Sequence, residues 1–335
     1  MREPAFWWRP GAGKLLDPLG ALYGALAEQR MGTPGTAIGI PIICIGNLTV
    51  GGAGKTPAAL MVGHLLLAMR ERPFFLSRGY GGRLAGPVRV DPGFHHAAEV
   101  GDEPLMLARL APTIVARDRV AGAKTARKGG ASVIVMDDGF QNPSLTKNAS
   151  IIVVDGTRGI GNGRILPAGP LRAPLEIQIK HARAVVIVGP RDGAPRVGEA
   201  ARRYGVAIFH ARLDPDRNSL AALGSRKVLA FAGIGNPDKF FATLTEAGVT
   251  IAERISFPDH HRYTAAEANM LIAHADAAGL VLMTTEKDHV RLAGDPALAK
   301  LAARANTLPV RLVIEELEQF RQMVAAVLKR QAPSG

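Results

Sequence analysis

The 335-residue sequence contains one cysteine, Cys44, and few aromatic residues. A single cysteine excludes an intrachain disulfide framework and a four-thiolate zinc site. Cys44 lies in the apolar run IPIICIG, which predicts a small buried hydrophobic side chain. Aromatic residues make up only 5% of the chain, and no stacking motif or basic helix stands out. These features argue against a nucleic-acid-binding protein.

Long runs of like charge are also absent, although the formal net charge is +12. The positive charge predicts an anionic partner: a nucleic acid, an acidic membrane surface or a phosphorylated substrate. Residues 32–54 carry no charged side chain, but seven glycines and two prolines interrupt them. This segment is therefore expected to be a loop, a strand and a second loop rather than a membrane span.

Short runs rich in valine, isoleucine and phenylalanine alternate with helical patterns from residue 38 onward. Near-continuous apolar runs of this kind predict the strands of a buried parallel sheet. The predicted strands are 40–47, 73–80, 113–118, 132–139, 150–156, 184–189, 206–213, 227–235, 250–257, 280–288 and 308–314. Predicted helices include 57–70, 103–110 and 120–128. A fresh strand–loop–helix unit begins at Lys227, so we expect one domain at residues 36–215 and a smaller α/β domain at residues 216–335.

Residues 1–35 form a separate predicted segment. It contains the only two tryptophans of the sequence, Trp7 and Trp8, followed by a predicted helix. The helix carries a broad apolar stripe: Leu15, Leu16, Leu19, Leu22, Tyr23 and Leu26. Two interpretations stay open, a helix docked on the core and an amphipathic helix in a membrane interface with its tryptophans at headgroup depth.

The stretch GNLTVGGAGKTP at residues 46–57 resembles a phosphate-binding loop between a strand and a helix. Its end matches the usual Gly-Lys-Ser/Thr, but a threonine stands where the first glycine is expected. Backbone N–H groups would cradle phosphate oxygens, the lysine would reach the β- and γ-phosphates, and the final hydroxyl would hold Mg²⁺. The expected nucleotide-binding residues are Thr49, Val50, Gly51, Gly52, Ala53, Gly54, Lys55 and Thr56.

Val50 separates this loop from that of the partitioning and nitrogenase-iron ATPases, whose loop carries a signature lysine at that place. This difference weakens the interpretation of the chain as a nucleotide-switch ATPase of the partitioning class, which stays as the alternative function. A nucleic-acid-binding ATPase is a third interpretation, supported only by the net charge.

Carboxylates and histidines supply candidates for the remaining chemistry. Asp137 and Asp138 end the apolar run SVIVMDDG, where carboxylates could ligate a cation held between phosphates. Aspartates that cap an exposed turn are the alternative. Asp102 in GDEP could orient a phosphoryl acceptor or act as a helix N-cap. The stretch FPDHHRYT offers Asp259, His260 and His261.

Together these pieces resemble one family, the tetraacyldisaccharide 4′-kinases of lipid A biosynthesis. The matching stretches run in order from residue 46 to residue 292: GNLTVGGAGKTP, LSRGYGG, GDEPLMLA, DDGFQN, GNGRILPAGPLR, AFAGIGNP, FPDHHRYT and TTEKDHVRL. The resemblance implies a P-loop NTPase-like parallel sheet with helices on both faces. A second, smaller α/β domain and an N-terminal membrane-associating helix would complete this α/β fold.

The resemblance also implies an activity and its partners. The enzyme would transfer the γ-phosphate of ATP to the 4′-hydroxyl of a tetraacyldisaccharide 1-phosphate, with Mg²⁺ as cofactor, giving the 1,4′-bisphosphate. Its partners would be ATP, the acylated disaccharide phosphate lipid and the inner-membrane surface, with no nucleic acid. It would be a peripheral protein at the cytoplasmic face of the bacterial inner membrane.

The resemblance assigns roles to individual residues. Asp102 looks like the base that activates the hydroxyl, supported by His260, and Lys55 is the third expected catalytic residue. Arg78 of SRGY looks like a phosphate-binding arginine. The expected Mg²⁺ ligands are Thr56, Asp137 and Asp138. Two positions depart from the family pattern, since Asn142 stands where histidine is frequent and Ala173 where glutamate is common, and neither is expected in the site.

Overall fold

The computed structural model describes residues 3–51 and 54–329. Gly52 and Ala53 of the expected phosphate loop lie outside the described residues, so their roles stay predictions. Within the described ranges, no helix combines the length and the apolar character needed to cross a membrane.

Strands and helices alternate along most of the described chain. The strands are β1 (Ile42–Gly46), β2 (Pro73–Ser77), β3 (Val88–Arg89), β4 (Thr113–Val115), β5 (Val133–Asp137), β6 (Ala149–Asp155), β7 (Ala184–Val188), β8 (Ala207–Pro215), β9 (Val228–Ala232), β10 (Ile251–Ser256), β11 (Val281–Thr284), β12 (Asn306–Thr307) and β13 (Val310–Ile314). The sequence predicted these strands apart from the two-residue strands β3 and β12, which are too short to give a pattern.

Helices connect most of these strands. The α-helices are α1 (Asp17–Met31), α2 (Lys55–Ala68), α3 (Ala97–Val100), α4 (Asp102–Ala108), α5 (Arg119–Lys128), α6 (Leu175–Lys180), α7 (Pro195–Arg203), α8 (Arg217–Leu223), α9 (Pro237–Glu246), α10 (Ala265–Ala278), α11 (Glu286–Ala293), α12 (Ala299–Arg304) and α13 (Leu317–Lys329). Three short 3₁₀ helices lie at Ala5–Trp8, Lys14–Leu16 and Pro296–Leu298.

The larger sheet has nine strands in the order β13-β8-β7-β6-β1-β5-β2-β4-β3. Its strands pair in parallel except at the two edges, where β13 and β3 run antiparallel to their neighbours. Successive residues of a strand point to opposite faces. In β1, Ile42 and Cys44 accordingly belong to one apolar cluster, and Ile43 and Ile45 to another.

Helices cover both faces of this sheet, which confirms the predicted architecture. Buried residues of α5, α6 and α7 belong to one apolar cluster, and those of α2, α4 and α13 to the other. A sheet covered on both faces requires apolar residues on both sides of each strand, which explains the continuous apolar runs in the sequence.

A second sheet contains four parallel strands in the order β10-β9-β11-β12. Helices α8 and α9 contribute to the apolar cluster on one face, and α10, α11 and α12 to the cluster on the other. This sheet corresponds to the smaller α/β unit expected from the sequence.

The end of the chain differs from the prediction that all of residues 216–335 form the smaller domain. Strand β13 pairs with β8, where Leu312 lies opposite Leu213, and so extends the larger sheet. Helix α13 packs Phe320 and Val324 into the core of that sheet. The prediction is therefore wrong for β13 and α13, because strand pairing between distant segments leaves no local signal.

Helix α1 docks through glycines rather than through its leucine stripe. Gly20 and Gly24 are buried, and a Cβ atom at Gly20 would lie 3.1 Å from the carbonyl oxygen of Ile165. By contrast, Leu19 and Leu22 are 55% and 63% exposed. The helix therefore contacts the protein, as the docked interpretation expects, but most of its leucine stripe faces away from the protein. The membrane interpretation stays a prediction.

The predicted strand 280–288 is too long. Strand β11 ends at Thr284, and Thr285 caps helix α11, where its side chain accepts a hydrogen bond from the N–H of Asp288 at 3.0 Å. Threonine followed three residues later by an acidic residue favours a helix start. The remainder of TTEKDHVRL therefore lies on a helix, which matters for the site.

Candidate active site

The expected phosphate loop joins β1 to the N-terminus of α2. Gly54 precedes the helix with a φ of 86°, a left-handed conformation that a residue without a Cβ adopts at little cost. Lys55 is the first helical residue and Thr56 the second. Their position places an anion-binding helix N-terminus at the carboxyl end of a central strand, the usual ligand site of such sheets.

Neighbouring loops hold the described part of this loop in place. The N–H of Val50 donates to the carbonyl of Pro170 at 2.9 Å, and Thr49 forms a β-bridge with Leu171. The Asn47 side chain donates to the carbonyl of Gly51 at 3.0 Å. The stretch PAGPLR thus forms one wall of the loop, which gives a structural reason for its place beside GNLTVGGAGKTP.

Charged groups surround the Lys55 ammonium. Its Nζ lies 3.9 Å from Oδ1 of Asp138 and 3.5 Å from the carbonyl of Gly51. Asp138 is also bound by Arg172, whose Nη1 lies 2.9 Å from the same carboxylate oxygen. Burial lowers the pKa of Lys55, and Asp138 partly opposes this effect. Burial alone would raise the pKa of Asp138, but Lys55 and Arg172 lower it overall.

Asp137 and Asp138 lie where strand β5 ends, beside the phosphate loop. Asp137 pairs in register with Ile45 of β1, and its Oδ1 has no hydrogen-bond partner among the described residues. Burial and the neighbouring Asp138 raise the pKa of Asp137 to about 6. A buried carboxylate oxygen without a hydrogen-bond partner is suited to bind a cation. The next residue, Asp138, has a left-handed backbone with φ of 49°, a conformation that is often found at functional sites. With the hydroxyl of Thr56, this donor set fits Mg²⁺.

The remaining sequence expectations have mixed outcomes. Arg78 follows β2 with an exposed side chain, and the structure assigns it no hydrogen bond among the described residues. Asn142 holds a turn, since its Oδ1 accepts from the N–H and the hydroxyl of Ser144. Ala173 is fully buried, and its carbonyl accepts from Gln178 at 2.8 Å. The contacts of Asn142 and Ala173 stabilise the local backbone, and the absence of both residues from the site stays a prediction.

A second cluster forms around Asp102, the first residue of α4. Gly101 occupies the N-cap position, so the alternative that Asp102 is the N-cap is wrong. Oδ1 of Asp102 accepts from the N–H of Glu103 at 3.0 Å. Oδ2 lies 3.3 Å from Nδ1 of His260 and 2.7 Å from Nε of Arg291. The structure therefore brings Asp102 and His260 together.

Only the first of the two adjacent histidines reaches this cluster. His260 has a left-handed backbone with φ of 55°, and Tyr80 packs edge-on against its ring at 5.0 Å. His261 instead stacks on Phe257 and lies 3.0 Å from the carboxylate of Glu267. Asp259 and His260 lie in a turn closed by the hydrogen bond from the N–H of His261 to the carbonyl of Pro258, and the two imidazole rings have different partners.

Lys287 lies among the acidic groups of the Asp102 cluster. Its Nζ is 2.5 Å from Glu103, 3.9 Å from Asp102 and 3.4 Å from Nε2 of His260. The ligand atoms of Asp102, Glu103 and His260 lie within 4.8 Å of one another, a spacing that could hold a metal ion. The Lys287 ammonium already supplies a positive charge there, so this cluster does not require a metal ion.

The two clusters lie close enough for their charges to interact. The charge of Lys287 favours ionisation of Asp137, and the charge of Glu103 favours the protonated form of Lys55. The phosphate loop and the Asp137 pair therefore lie near the Asp102 cluster. Lys287 and Arg291 reach it from the smaller sheet.

Several site residues are missing from the sequence-based predictions: Glu103, Arg172, Lys287 and Arg291. Each lies in a stretch that carried the resemblance, namely GDEPLMLA, PAGPLR or TTEKDHVRL. The resemblance of those stretches to the family was the signal from which these four residues could have been identified. Assigning Lys287 and Arg291 required a helix start at residue 286, because only the helix brings both residues, four apart, to one face.

Comparison with known proteins shows the family of this chain. The family model described as tetraacyldisaccharide-1-P 4′-kinase matches residues 12–329. The chain belongs to this family. Tetraacyldisaccharide 4′-kinase of Rhodopseudomonas palustris (strain BisB18) is 54% identical over 326 residues, which are 97% of this chain and 95% of that protein. The kinase of the same name from Methylobacterium radiotolerans is 53% identical over 331 residues, which are 98% of this chain and 99% of that protein.

A solved structure of a member of the kinase family has a similar fold. The crystal structure of LpxK from Aquifex aeolicus in complex with ATP matches with a TM-score of 0.72 and 26% sequence identity. The match covers 94% of this chain and 99% of that one. The likeness confirms the predicted fold class, and the family confirms that the chain is an ATP-dependent kinase.

Proposed function

We propose that the protein transfers the γ-phosphate of ATP to the 4′-hydroxyl of a tetraacyldisaccharide 1-phosphate, giving the 1,4′-bisphosphate. The observation that carries this proposal is the pairing of two clusters in one site. A phosphate loop with Lys55 can hold the donor, and the carboxylate of Asp102 can receive the proton of an acceptor hydroxyl.

Different residues bind the phosphates and accept the proton during the reaction. Lys55 and the backbone of the phosphate loop bind and orient the β- and γ-phosphates. The bond from the 4′-oxygen to the γ-phosphorus forms as the bond between that phosphorus and the bridging oxygen breaks, and ADP leaves. The hydroxyl proton passes to the Asp102–His260 pair. Oδ1 of Asp102 keeps a lone pair that can accept this proton, since within the described part of the chain its one hydrogen bond comes from the N–H of Glu103.

Mg²⁺ would be held by Thr56, Asp137 and Asp138. When bound, the ion neutralises charge on the phosphate oxygens and orients them for in-line transfer. Arg78 follows a neighbouring strand with an exposed side chain and is proposed to contact the phosphates. Arg172, which binds Asp138, holds that carboxylate in place.

ATP consumption separates this function from the alternative, a nucleotide-switch ATPase. We expect the full chain with Mg²⁺ to consume ATP only when a tetraacyldisaccharide 1-phosphate is added, in an amount that matches the lipid phosphorylated. A switch ATPase would release phosphate whether or not the lipid is present. Lipid-independent hydrolysis at the full rate would therefore overturn the proposal.

We also infer that helix α1 attaches the protein to the inner-membrane surface at its cytoplasmic face. The side chains of Leu15, just before α1, and of Leu19, Leu22 and Leu26 on the helix are 97%, 55%, 63% and 52% exposed, and Tyr23 is 43% exposed. An exposed apolar face of this size is typical of a membrane or protein contact. The net charge of +12 favours an anionic lipid surface, where the acylated substrate also resides.

Substitution tests this attachment better than deletion of the segment does. Trp7 is buried and donates from Nε1 to the carbonyl of Pro167 at 3.0 Å, so removing the segment would also disturb the core. We expect Leu19→Glu with Leu22→Glu to reduce co-sedimentation with anionic phospholipid vesicles and to leave the melting temperature unchanged.

Met270→Glu is the matched control for the leucine variants. Met270 lies on α10 and is 44% exposed, so the substitution adds one negative charge, as each leucine substitution does, at a similarly exposed apolar position. It should sediment like the wild type. Vesicle binding by the leucine variants equal to that of the wild type would show that α1 is not the membrane contact.

A further inference from the structure

Arg291 connects the two sheets at the Asp102 carboxylate. It lies on α11 of the smaller sheet, and its Nε donates to Oδ2 of Asp102 at 2.7 Å while Nη2 contacts the same oxygen. The side chains of Arg291 and Asp102 are only 8% and 3% exposed. Arg291 is therefore a closer partner of the expected base than His260, whose Nδ1 lies 3.3 Å away.

The smaller sheet fixes the other side of the guanidinium. Nη1 donates to the carbonyl of Gly233 and to Oδ1 of Asp288, each at 2.7 Å. Asp288 has no exposed surface and is itself held by the N–H of Gly233 and the hydroxyls of Tyr263 and Thr285. Arg291 thus has little freedom to leave Asp102, since each of its bonds ends on a buried group.

We propose that Arg291 is a positioning residue for phosphoryl transfer, which fixes the direction of the Asp102 carboxylate across the boundary between the two sheets. The proposal rests on the proposed function, in which Asp102 receives the proton of the acceptor hydroxyl. Arg291 and His260 occupy Oδ2, which leaves Oδ1 as the oxygen that can face the acceptor. Without Arg291 the carboxylate could rotate and present either oxygen.

Arg291 also affects the ionisation of the base. Burial alone would raise the pKa of Asp102, but the side chains of Glu103, His260, Lys287 and Arg291 together hold it well below its usual range. The groups that face Asp102 are Arg291 and Lys287 from α11, with Asp288 behind them, His260 from the loop after β10 and Glu103 from its own helix. Glu103 in turn acts on Lys55 of α2.

The direction in which the pH dependence of activity changes follows from the loss of the positive charge of Arg291. Removing a nearby positive charge destabilises the ionised carboxylate, so the pKa of Asp102 rises. Because the base must be ionised to act, activity is then lost at the acidic end of the pH range. An opposite charge at this distance typically shifts a pKa by about 1–3 units, which sets the expected displacement of the acidic limb.

The test compares two substitutions at Arg291. Arg291→Gln should lower kcat about 10²-fold near neutral pH, the cost typical of a misplaced catalytic group. Its KM for ATP should stay unchanged, and the acidic limb of its kcat profile should move to higher pH. Arg291→Lys keeps a positive charge, so its acidic limb should stay near that of the wild type although its kcat falls.

A control variant and an NMR measurement of the pKa of Asp102 distinguish the proposed role of Arg291 from a general structural effect. Arg304→Gln removes an arginine from an exposed ion pair with Asp276, away from Asp102, and should leave kcat and its pH profile unchanged. Carboxyl ¹³C NMR should show directly that the pKa of Asp102 is higher in Arg291→Gln. A loss of kcat that is equal at every pH with an unchanged pKa of Asp102, or a raised KM for ATP, would overturn the proposal. Failure of the proposed function would appear separately, as absence of lipid phosphorylation by the wild type.

Discussion

Lys55→Ala is expected to lower the rate of phosphoryl transfer by a factor of about 10²–10³, the usual cost of losing one preorganised contact to the charge of a transition state. Lys55 lies at the N-terminus of α2, with its ammonium 3.9 Å from Asp138. It is placed to neutralise charge on the moving phosphoryl group. The measurement is kcat with ATP and the lipid acceptor at saturating Mg²⁺.

The fold should survive this substitution. Burial lowers the pKa of Lys55, which means that its charged form is less favourable in the folded chain than in water. Asp138 keeps Arg172 as a partner when the lysine is removed. The melting temperature should therefore stay the same or rise. Lys124→Ala on the exposed face of α5 is the matched control and should keep full activity. Near-normal turnover of Lys55→Ala would remove the loop from the mechanism.

Asp102→Asn should lower kcat by a factor of about 10²–10⁴, the range that a positioned acid or base contributes. Asparagine keeps the shape of the side chain and can still accept from Arg291, but it cannot take up the hydroxyl proton. His260→Ala should also lower kcat, and neither change should alter the KM for ATP. The two residues contact each other at 3.3 Å, so we expect them to act as a unit.

A double-variant comparison tests that unit. Asp102→Asn with His260→Ala should be scarcely slower than the slower single variant, because removing either partner already disables the pair. Rate losses that multiply would show that the two residues act independently. His261→Ala is the control for the neighbouring ring, which pairs with Glu267, and it should stay close to the wild type.

Local pattern was enough to predict the larger sheet and the phosphate loop. Strands such as Ile42–Gly46 and Val133–Asp137 are buried along their whole length, so they appear as unbroken apolar runs. The loop depends on the spacing of Gly54, Lys55 and Thr56 within a few residues. These features are set by near neighbours in the chain and can be read without the tertiary structure.

Features that depend on distant contacts were harder to predict. Strand β13 looks like any other short apolar run, and nothing local indicates that it pairs with β8 rather than with the smaller sheet. The leucine stripe of α1 left open whether it packs on the protein or faces a membrane. Gly20 and Gly24 make the contact with the protein, because the neighbouring loop at Ile165 approaches too closely for larger side chains. Glycine carries no periodic signal of burial.

The site was predictable in its parts but not in its connections. Asp102 and His260 were identified through the resemblance, which gave no distance between them. Lys287 and Arg291 were missed because the apolar run before them continues smoothly into TTEKD, which hid the start of α11. Their role follows from the contact of the two sheets, a tertiary property. Functional side chains supplied across such a boundary need the structure.

The position of the transferred phosphate tests the central claim most directly. The full chain is incubated with Mg²⁺, ATP labelled at the γ-phosphate and a tetraacyldisaccharide 1-phosphate, and the lipid is examined by mass spectrometry and by ³¹P–¹H correlation NMR. We predict a lipid that is heavier by one phosphate, carries the label and shows the new phosphate coupled to the proton at the 4′ carbon. A lipid without label, or with the new phosphate at another hydroxyl, would contradict the account.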